Sequence, residues 1–86
     1  MKLRDKTSTE PEVPIIRGTD TSRQSYVEVP TLVGDYIRVT QTPIRQWTKE
    51  YHLRIQLRTA QGRIHNGPEF PKSKAPEVLA AITAML

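Results

Sequence analysis

The sequence predicts an α+β fold, in which a small antiparallel sheet of three to four strands packs against one C-terminal helix. Two segments, 36–42 and 51–59, alternate apolar and polar side chains with a period of two, which is typical of strands with one buried face. The segment 75–86 repeats apolar residues at intervals of three and four, which is typical of an amphipathic helix. A run of strands followed by a helix is the order of an α+β domain.

The composition indicates one small domain without covalent stabilisation. The chain has 86 residues and no cysteine, so it contains neither a disulfide framework nor a thiolate metal site. A core of this size is marginal on its own, which favours tight packing or oligomerisation. No apolar run approaches the roughly 18 residues of a membrane span, and no hydrophobic stretch follows the charged N-terminus as in a secretory signal. We therefore expect a cytoplasmic protein without a membrane partner.

The positive charge is concentrated in the part of the chain that is expected to fold. The formal net charge is +4. Residues 1–30 contain five Lys or Arg and five Asp or Glu, whereas residues 31–86 contain eight and four. A basic folded domain indicates a polyanion-binding protein, although a soluble domain that is basic for no functional reason has the same charge.

The N-terminal segment 1–24 is expected to be a flexible, disordered tail, and residues 25–86 are expected to form the domain. The tail has few apolar residues and no sustained period, so burial cannot offset the entropy that is lost when it orders. Its one apolar patch, 13–16, suits a short edge strand, because Pro14 disfavours a central position in a sheet.

Two strands are expected before the central strand. Residues 25–29 alternate weakly and place Tyr26 and Glu28 on the side opposite to two valines. Gly34 marks a turn, and the segment 36–42 that follows is rich in β-branched and aromatic residues, which favour strands.

The segment 51–59 is the central strand, and its two faces differ in chemistry. Leucine and isoleucine alternate with an outward set that contains two arginines and a histidine but no acid. The preceding loop, 43–50, contains the single tryptophan, Trp47. Gly62 can supply the positive φ of a hairpin turn, and a short return strand is expected to be interrupted at 66–68.

The C-terminal segment predicts one helix with two distinct surfaces. Ser73 is the expected N-cap, and Pro76 falls in the first turn, where its missing N–H costs little. The apolar stripe consists of Ala75, Val78, Leu79, Ile82, Met85 and Leu86. Small residues on the other side favour a homodimer in which helices meet, although an alanine-rich helix of high propensity has the same composition. The expected dimer interface consists of Val78, Ala81, Ile82 and Met85.

The outward face of the sheet is the candidate binding surface. If strands 36–42 and 51–59 pair, basic side chains and rings lie together in a pattern that suits phosphates and bases. The predicted phosphate contacts are Arg38, Arg54, Arg58 and Arg63. The predicted stacking side chains are Tyr36, His52 and Trp47. Two other interpretations stay open, namely that the arginines form a solvated face and that Trp47 or Tyr36 caps the core.

Sequence motifs of enzymes are absent from the chain. It has no Gly-rich phosphate loop, no Gly-x-Ser-x-Gly elbow and no His-Glu-x-x-His. His52 and His65 can approach each other across a hairpin, but no third ligand accompanies them. We therefore expect a protein that is not an enzyme and that binds neither a metal nor a cofactor.

Three features resemble a known family: the alternating run Arg-Ile-Gln-Leu-Arg at 54–58, the glycine turn after it, and the single C-terminal amphipathic helix. Together they make residues 35–86 similar to the single-stranded-DNA-binding domain of the positive cofactor four transcriptional coactivator family and to Whirly-type proteins. The resemblance implies a homodimer in which curved sheets bind melted DNA and C-terminal helices contribute to the interface. It implies that Arg54 and Arg58 face the DNA. The chain departs from the family pattern at Gln56, where an acid is common.

Two functions fit these observations. The first is a small dimeric protein that binds single-stranded DNA or RNA with little sequence preference, as a regulator of transcription or replication. Only one convincing helix is present, which disfavours major-groove reading by a helix-turn-helix pair. The alternative is a protein-interaction module, such as a phage or plasmid inhibitor, that covers an acidic or nucleic-acid-binding surface of another protein. An oligonucleotide-binding assay separates the two, since an inhibitor binds nothing until its target is added.

Overall fold

The computed structural model describes residues 14–86, so the expectations for residues 1–13 lie outside the described part of the chain. The described residues form a five-stranded antiparallel sheet, a 3-10 turn and one helix, α1, at Ala75–Ala84. The strands are β1 (Ile16–Thr19), β2 (Ser25–Pro30), β3 (Tyr36–Gln41), β4 (His52–Arg58) and β5 (Ile64–Pro71). The predicted α+β class is confirmed.

The sheet has five strands rather than the predicted three to four. β1 forms within the segment predicted as a tail, where it pairs as an edge strand with β2. The flexible tail and the domain boundary at residue 25 therefore do not hold for this strand. β5 continues through 66–68, where an interruption is predicted, because a bulge keeps it paired with β4.

Strand register divides the sheet into two faces. β3 pairs with β4 so that Arg38 lies opposite Gln56 and Val39 lies opposite Ile55. The polar face consists of Tyr26, Glu28, Tyr36, Arg38, Thr40, His52, Arg54, Gln56, Arg58, Asn66 and Glu69. The apolar face consists of Val27, Val29, Ile37, Val39, Leu53, Ile55, Leu57 and Phe70. Each strand contributes to both faces, because successive side chains of a strand point to opposite sides.

A bulge in β5 determines which face its acidic residue joins. Glu69 lies opposite Arg54, although regular alternation from Asn66 would place the preceding residue there. Two residues of β5 therefore oppose the single Ile55 of β4. Gly67 fits at this point, because a Cβ on it would lie 2.8 Å from the carbonyl oxygen of Ile55. The extra residue shifts the alternation and brings Glu69 to the polar face.

The polar face is the more buried side of the sheet. Within residues 14–86 no hydrophobic residue is buried, and the buried residues are Glu28, Thr40, Thr42 and His52. Long arginine and tyrosine side chains lie over the polar face and shield it from water. On the apolar face no helix or strand of the described chain forms a second layer. A sheet normally buries its apolar face against another layer, so the described chain alone does not complete a core.

Helix α1 follows β5 through the 3-10 turn, and no strand of the sheet makes extensive contact with it. None of its residues is buried, and Leu79, Ile82 and Met85 expose 64%, 51% and 86% of their surface. Within residues 14–86 the helix therefore makes less contact with the sheet than the sequence predicts. The 3-10 turn at Lys72–Lys74 joins β5 directly to α1, so no loop reverses the chain direction. No helix in residues 14–86 is long and apolar enough to cross a membrane.

The N-cap of the helix lies one residue later than predicted. Its N-cap is Lys74, whereas Ser73 lies in the preceding 3-10 turn. The backbone N–H and the hydroxyl of Ser73 donate to the Glu50 carboxylate at 2.9 and 3.0 Å. Ser73 therefore ties the start of the helix to the loop before β4 instead of capping the helix.

Candidate nucleic-acid interface

The first group of charges on the polar face is built around Glu28, a carboxylate that is 2% exposed. Arg38, directly opposite on β3, donates from Nε to Glu28 Oε2 at 2.7 Å. Arg58 reaches across β3 from β4 and donates from Nε and Nη2 to the same carboxylate at 2.7 and 2.9 Å. The hydrogen bonds from Arg58, followed by those from Arg38, hold the pKa of Glu28 below 4.5, although burial acts in the opposite direction.

Two tyrosine rings support these guanidinium groups. The guanidinium carbon of Arg38 lies 3.8 Å from the ring centroid of Tyr26, and that of Arg58 lies 4.1 Å from that of Tyr36. Gly18 leaves room for Tyr26, since a Cβ there would lie 2.5 Å from the ring. An arginine that is both stacked and ion-paired has little rotamer freedom. We refer to these residues as the first cluster, which consists of Tyr26, Glu28, Tyr36, Arg38 and Arg58.

A second cluster, formed by Glu69, Arg45 and Arg54, lies at the other end of the polar face. Arg45, from the loop between β3 and β4, donates from Nε and Nη2 to the two carboxylate oxygens of Glu69, each at 2.9 Å. Arg54 donates from Nη2 to Oε1 of the same carboxylate at 2.8 Å. Hydrogen bonds from Arg45, and then from Arg54, lower the pKa of Glu69 to about 2.

His52 lies beside the second cluster and is only 4% exposed. Its Nε2 is 2.7 Å from Thr48 Oγ1, and its Nδ1 is 2.8 Å from Glu69 Oε2 without the alignment of a hydrogen bond. The ring of Trp47 meets it edge-on, with centroids 5.6 Å apart and an interplanar angle of 81°. The predicted stacking of His52 on a base is therefore wrong, because neighbouring side chains already cover the imidazole.

A short chain of hydrogen bonds lies between the two clusters. Thr40, which is buried, donates from Oγ1 to Gln56 Oε1 at 2.7 Å, and Gln56 donates from Nε2 to Asn66 Oδ1 at 2.8 Å. Gln56 stands between Arg54 and Arg58 on β4. The polar face therefore carries three hydrogen-bonded groups side by side, namely the two clusters and this chain between them.

The polar face keeps an excess of positive charge. In the two clusters four guanidinium groups face two carboxylates, which leaves a net charge of +2. Each of these arginines directs at most two of its N–H groups to a glutamate. A guanidinium has five N–H donors, so several remain for another acceptor.

The structure brings five of the predicted contact residues together on the polar face, namely Tyr36, Arg38, His52, Arg54 and Arg58, of which His52 is covered by its neighbours. Trp47 lies in the loop before β4, is 74% exposed and caps no core. Tyr36 supports the guanidinium of Arg58. Arg63 lies in the turn between β4 and β5, outside the paired residues of the polar face.

Four residues of the clusters are not predicted from the sequence: Tyr26, Glu28, Arg45 and Glu69. The central strand carries no acid on its outward side, but β2 and β5 each bring one to its arginines. The alternation of residues 25–29 already places Glu28 outward, so pairing this segment with β3 would reveal its partners. Because the bulge shifts the alternation of β5, the sequence does not predict which face Glu69 joins. The loop before β4 has no regular period, so the position of Arg45 is not predicted either.

The two depressed carboxyl pKa values predict how stability depends on pH. The folded-state pKa of Glu69 is about 2, against an ordinary value of 4.5, and that of Glu28 is also lowered. A carboxyl group whose pKa is lower in the folded state stabilises the fold at pH values above its ordinary pKa. This stabilisation is lost as the pH falls towards the folded-state pKa. We expect the free energy of unfolding, measured with urea, to decrease between pH 4.5 and about 2. The free energy of unfolding of the variant Glu69→Gln should decrease less over this range. If the variant and the native chain have the same pH profile, Glu69 is not the source of the pH dependence.

Comparison of the chain with protein-family models, with curated proteins and with solved structures finds no match. The resemblance of residues 35–86 to the positive cofactor four and Whirly-type proteins therefore stays a prediction.

Proposed function

We propose that the polar face binds single-stranded nucleic acid with little sequence preference, and that the chain acts in regulating transcription or replication. The observation that carries the proposal is the set of four arginines that are held in place by rings and carboxylates while keeping a net charge of +2. A polyanion gains most from cations that are already oriented, because less side-chain entropy is lost on binding. The proposal concerns a charged surface rather than a catalytic pocket.

Phosphates and bases have separate contacts in this proposal. Arg54 and Arg58 are four residues apart on β4, so their backbones are about 13 Å apart and their free N–H groups serve different phosphates. Trp47 offers an exposed ring beside the second cluster, on which a base can stack. Nothing in this arrangement selects one base over another, which supports binding with little sequence preference.

The proposal includes a homodimer. Within residues 14–86 the apolar stripe of α1 lies against no strand, and its residues Val78, Leu79, Ile82 and Met85 are half-buried or exposed. An amphipathic helix owes most of its stability to the packing of its apolar face. The predicted interface residues Val78, Ala81, Ile82 and Met85 are thus accessible to a second chain.

The test is fluorescence anisotropy of a labelled single-stranded oligonucleotide at several salt concentrations. The variant Arg54→Gln/Arg58→Gln should weaken binding and should reduce the slope of log affinity against log salt by about 0.7 for each phosphate that the variant no longer neutralises. The control is Arg23→Gln/Lys74→Gln, which removes the same charge from a turn and from the start of α1, away from the polar face. Circular dichroism confirms that each variant is folded.

The variant Trp47→Ala separates stacking from charge. It should weaken binding by roughly 1–3 kcal/mol while the salt slope stays the same, because the substitution removes a ring and leaves every cation in place. If the arginine variant and its control weaken oligonucleotide binding equally, the affinity depends on net charge alone and not on the polar face. No binding by the native chain at low salt would overturn the proposal and would favour an acidic protein surface as the partner of the same face.

A further inference from the structure

The sheet and the helix each present an apolar surface that no other element of the described chain covers. The apolar face crosses four strands, and a groove of about 400 Å³ is lined by Val27, Val39 and Leu53 together with the polar residues Arg17, Ser25 and Gln41. Ile37 on the same face is 38% exposed. Helix α1 presents the other surface, since Leu79, Ile82 and Met85 are largely exposed.

The described chain does not bring these two surfaces together, since no strand makes extensive contact with α1. Pro71, the last residue of β5, is followed at once by the 3-10 turn, and the turn is followed at once by Ala75 of α1. The Ser73–Glu50 hydrogen bonds fasten this junction to the loop before β4. The junction that would have to change for the helix to cover its own sheet is therefore short and held in place.

We propose that the apolar face of each sheet is covered by helix α1 of a second copy of this chain. This inference rests on the proposed homodimer and is independent of nucleic-acid binding. In a two-fold arrangement each copy gives its helix and receives that of its partner, so one contact type covers both bare surfaces in both copies. Neither surface carries a run of charges that would have to be desolvated, since Glu77, the one acidic residue of α1, lies on the side of the helix away from the apolar stripe.

The same arrangement accounts for the lack of a core in one copy. No hydrophobic residue within residues 14–86 is buried, whereas a domain normally closes its core between two layers. The partner's helix supplies the second layer for the sheet. Stability should then depend on protein concentration, as it does when folding is coupled to association.

The mass in solution and the effect of one substitution test the dimer itself. Light scattering coupled to size exclusion should give twice the 9.8 kDa of one chain. The variant Ile82→Glu places a charge in the apolar stripe and should raise the dimer dissociation constant roughly 10-fold or more. The control Ala80→Glu, on the other side of α1, should leave the dissociation constant unchanged. A single-chain mass at all concentrations would overturn the inference.

Cross-linking identifies the surfaces that meet, because the chain has no cysteine of its own. A mixture of a Val39→Cys chain and an Ile82→Cys chain should form a disulfide-linked pair on oxidation. Neither variant alone should cross-link, and the doubly substituted chain should form no link within one copy. A link formed by Ile82→Cys alone would show helix against helix, and a link within one chain would show that the helix folds back on its own sheet; either result would overturn the inference.

Other occupants of the apolar face give different results in the same assays. If residues 1–13 cover it, the chain is a monomer, and their deletion increases the binding of a hydrophobic dye. If a foreign protein covers it, the chain is a monomer whose dye binding does not depend on residues 1–13. Either result overturns the inference. None of these assays contains nucleic acid, so their failure is distinct from failure of the oligonucleotide test.

Discussion

Replacing Glu28 with glutamine is expected to destabilise the fold by about 3 kcal/mol, the low end for removing one partner of a buried ion pair. The side chain keeps its shape, so the change isolates the charge. In the native chain this carboxylate accepts three hydrogen bonds from Arg38 and Arg58. Without its charge, the two guanidinium groups repel each other over the same buried site. Both retain some contact with water, which limits the loss to the low end of the range.

Urea denaturation at neutral pH and at one fixed protein concentration measures this loss. The matched control is Glu77→Gln, which removes the same charge from an exposed pair with Lys74. Exposed pairs of this kind contribute between about 0 and 1 kcal/mol. Similar losses in the two variants would show that the first cluster is no more than a surface charge pair.

The variant Gly67→Ala should also cause a large loss of stability, about 1–3 kcal/mol, because a methyl group is forced against the backbone of β4. Its Cβ would lie 2.8 Å from the backbone oxygen of Ile55, and a backbone atom cannot move aside as a flexible side chain can. Relief requires β5 to move away from β4 at the bulge. Glu69 owes its place beside Arg45 and Arg54 to that bulge, so the second cluster should be disturbed as well.

A matched glycine variant separates this effect from ordinary turn strain. Gly62 has φ +89° and open space around it, so Gly62→Ala should cost stability through backbone strain alone. Urea denaturation over a pH series compares the two variants. Between pH 4.5 and about 2 the Gly67→Ala variant should lose less stability than the native chain, because Glu69 no longer contacts Arg45 and Arg54. The Gly62→Ala variant should lose as much stability over this range as the native chain. Identical pH profiles would contradict the role given to the bulge.

The local periods of the sequence predict the strands and the helix, but not what each surface contacts. The alternation of 51–59 correctly separates the leucines from the arginines, since this depends only on neighbouring residues. The partners of those arginines come from β2 and β5, and their position depends on register and on a bulge. The prediction therefore identifies the arginine surface and misses the carboxylates within it.

The helix is likewise predicted from the sequence without the surface that it contacts. Its apolar stripe correctly indicates a helix with one face to be covered, because that period is a local property of the chain. What covers that face is a matter of tertiary contacts, and in the described residues no strand makes extensive contact with the helix. His52 is a further case, because alternation assigns it to the outward face but cannot reveal that Trp47 and Thr48 cover it.

The sheet is a simple meander, in which every strand pairs with its neighbour in the sequence. The connections are short, at residues 20–24, 31–35, 42–51 and 59–63. Closing such loops costs little entropy, and chains rich in local contacts fold quickly. Single hairpins form in about 1–10 μs, whereas encounters between chains are slower and depend on concentration. Strand pairing therefore begins within one chain, and the stability that comes from covering the apolar face is gained only when two chains meet.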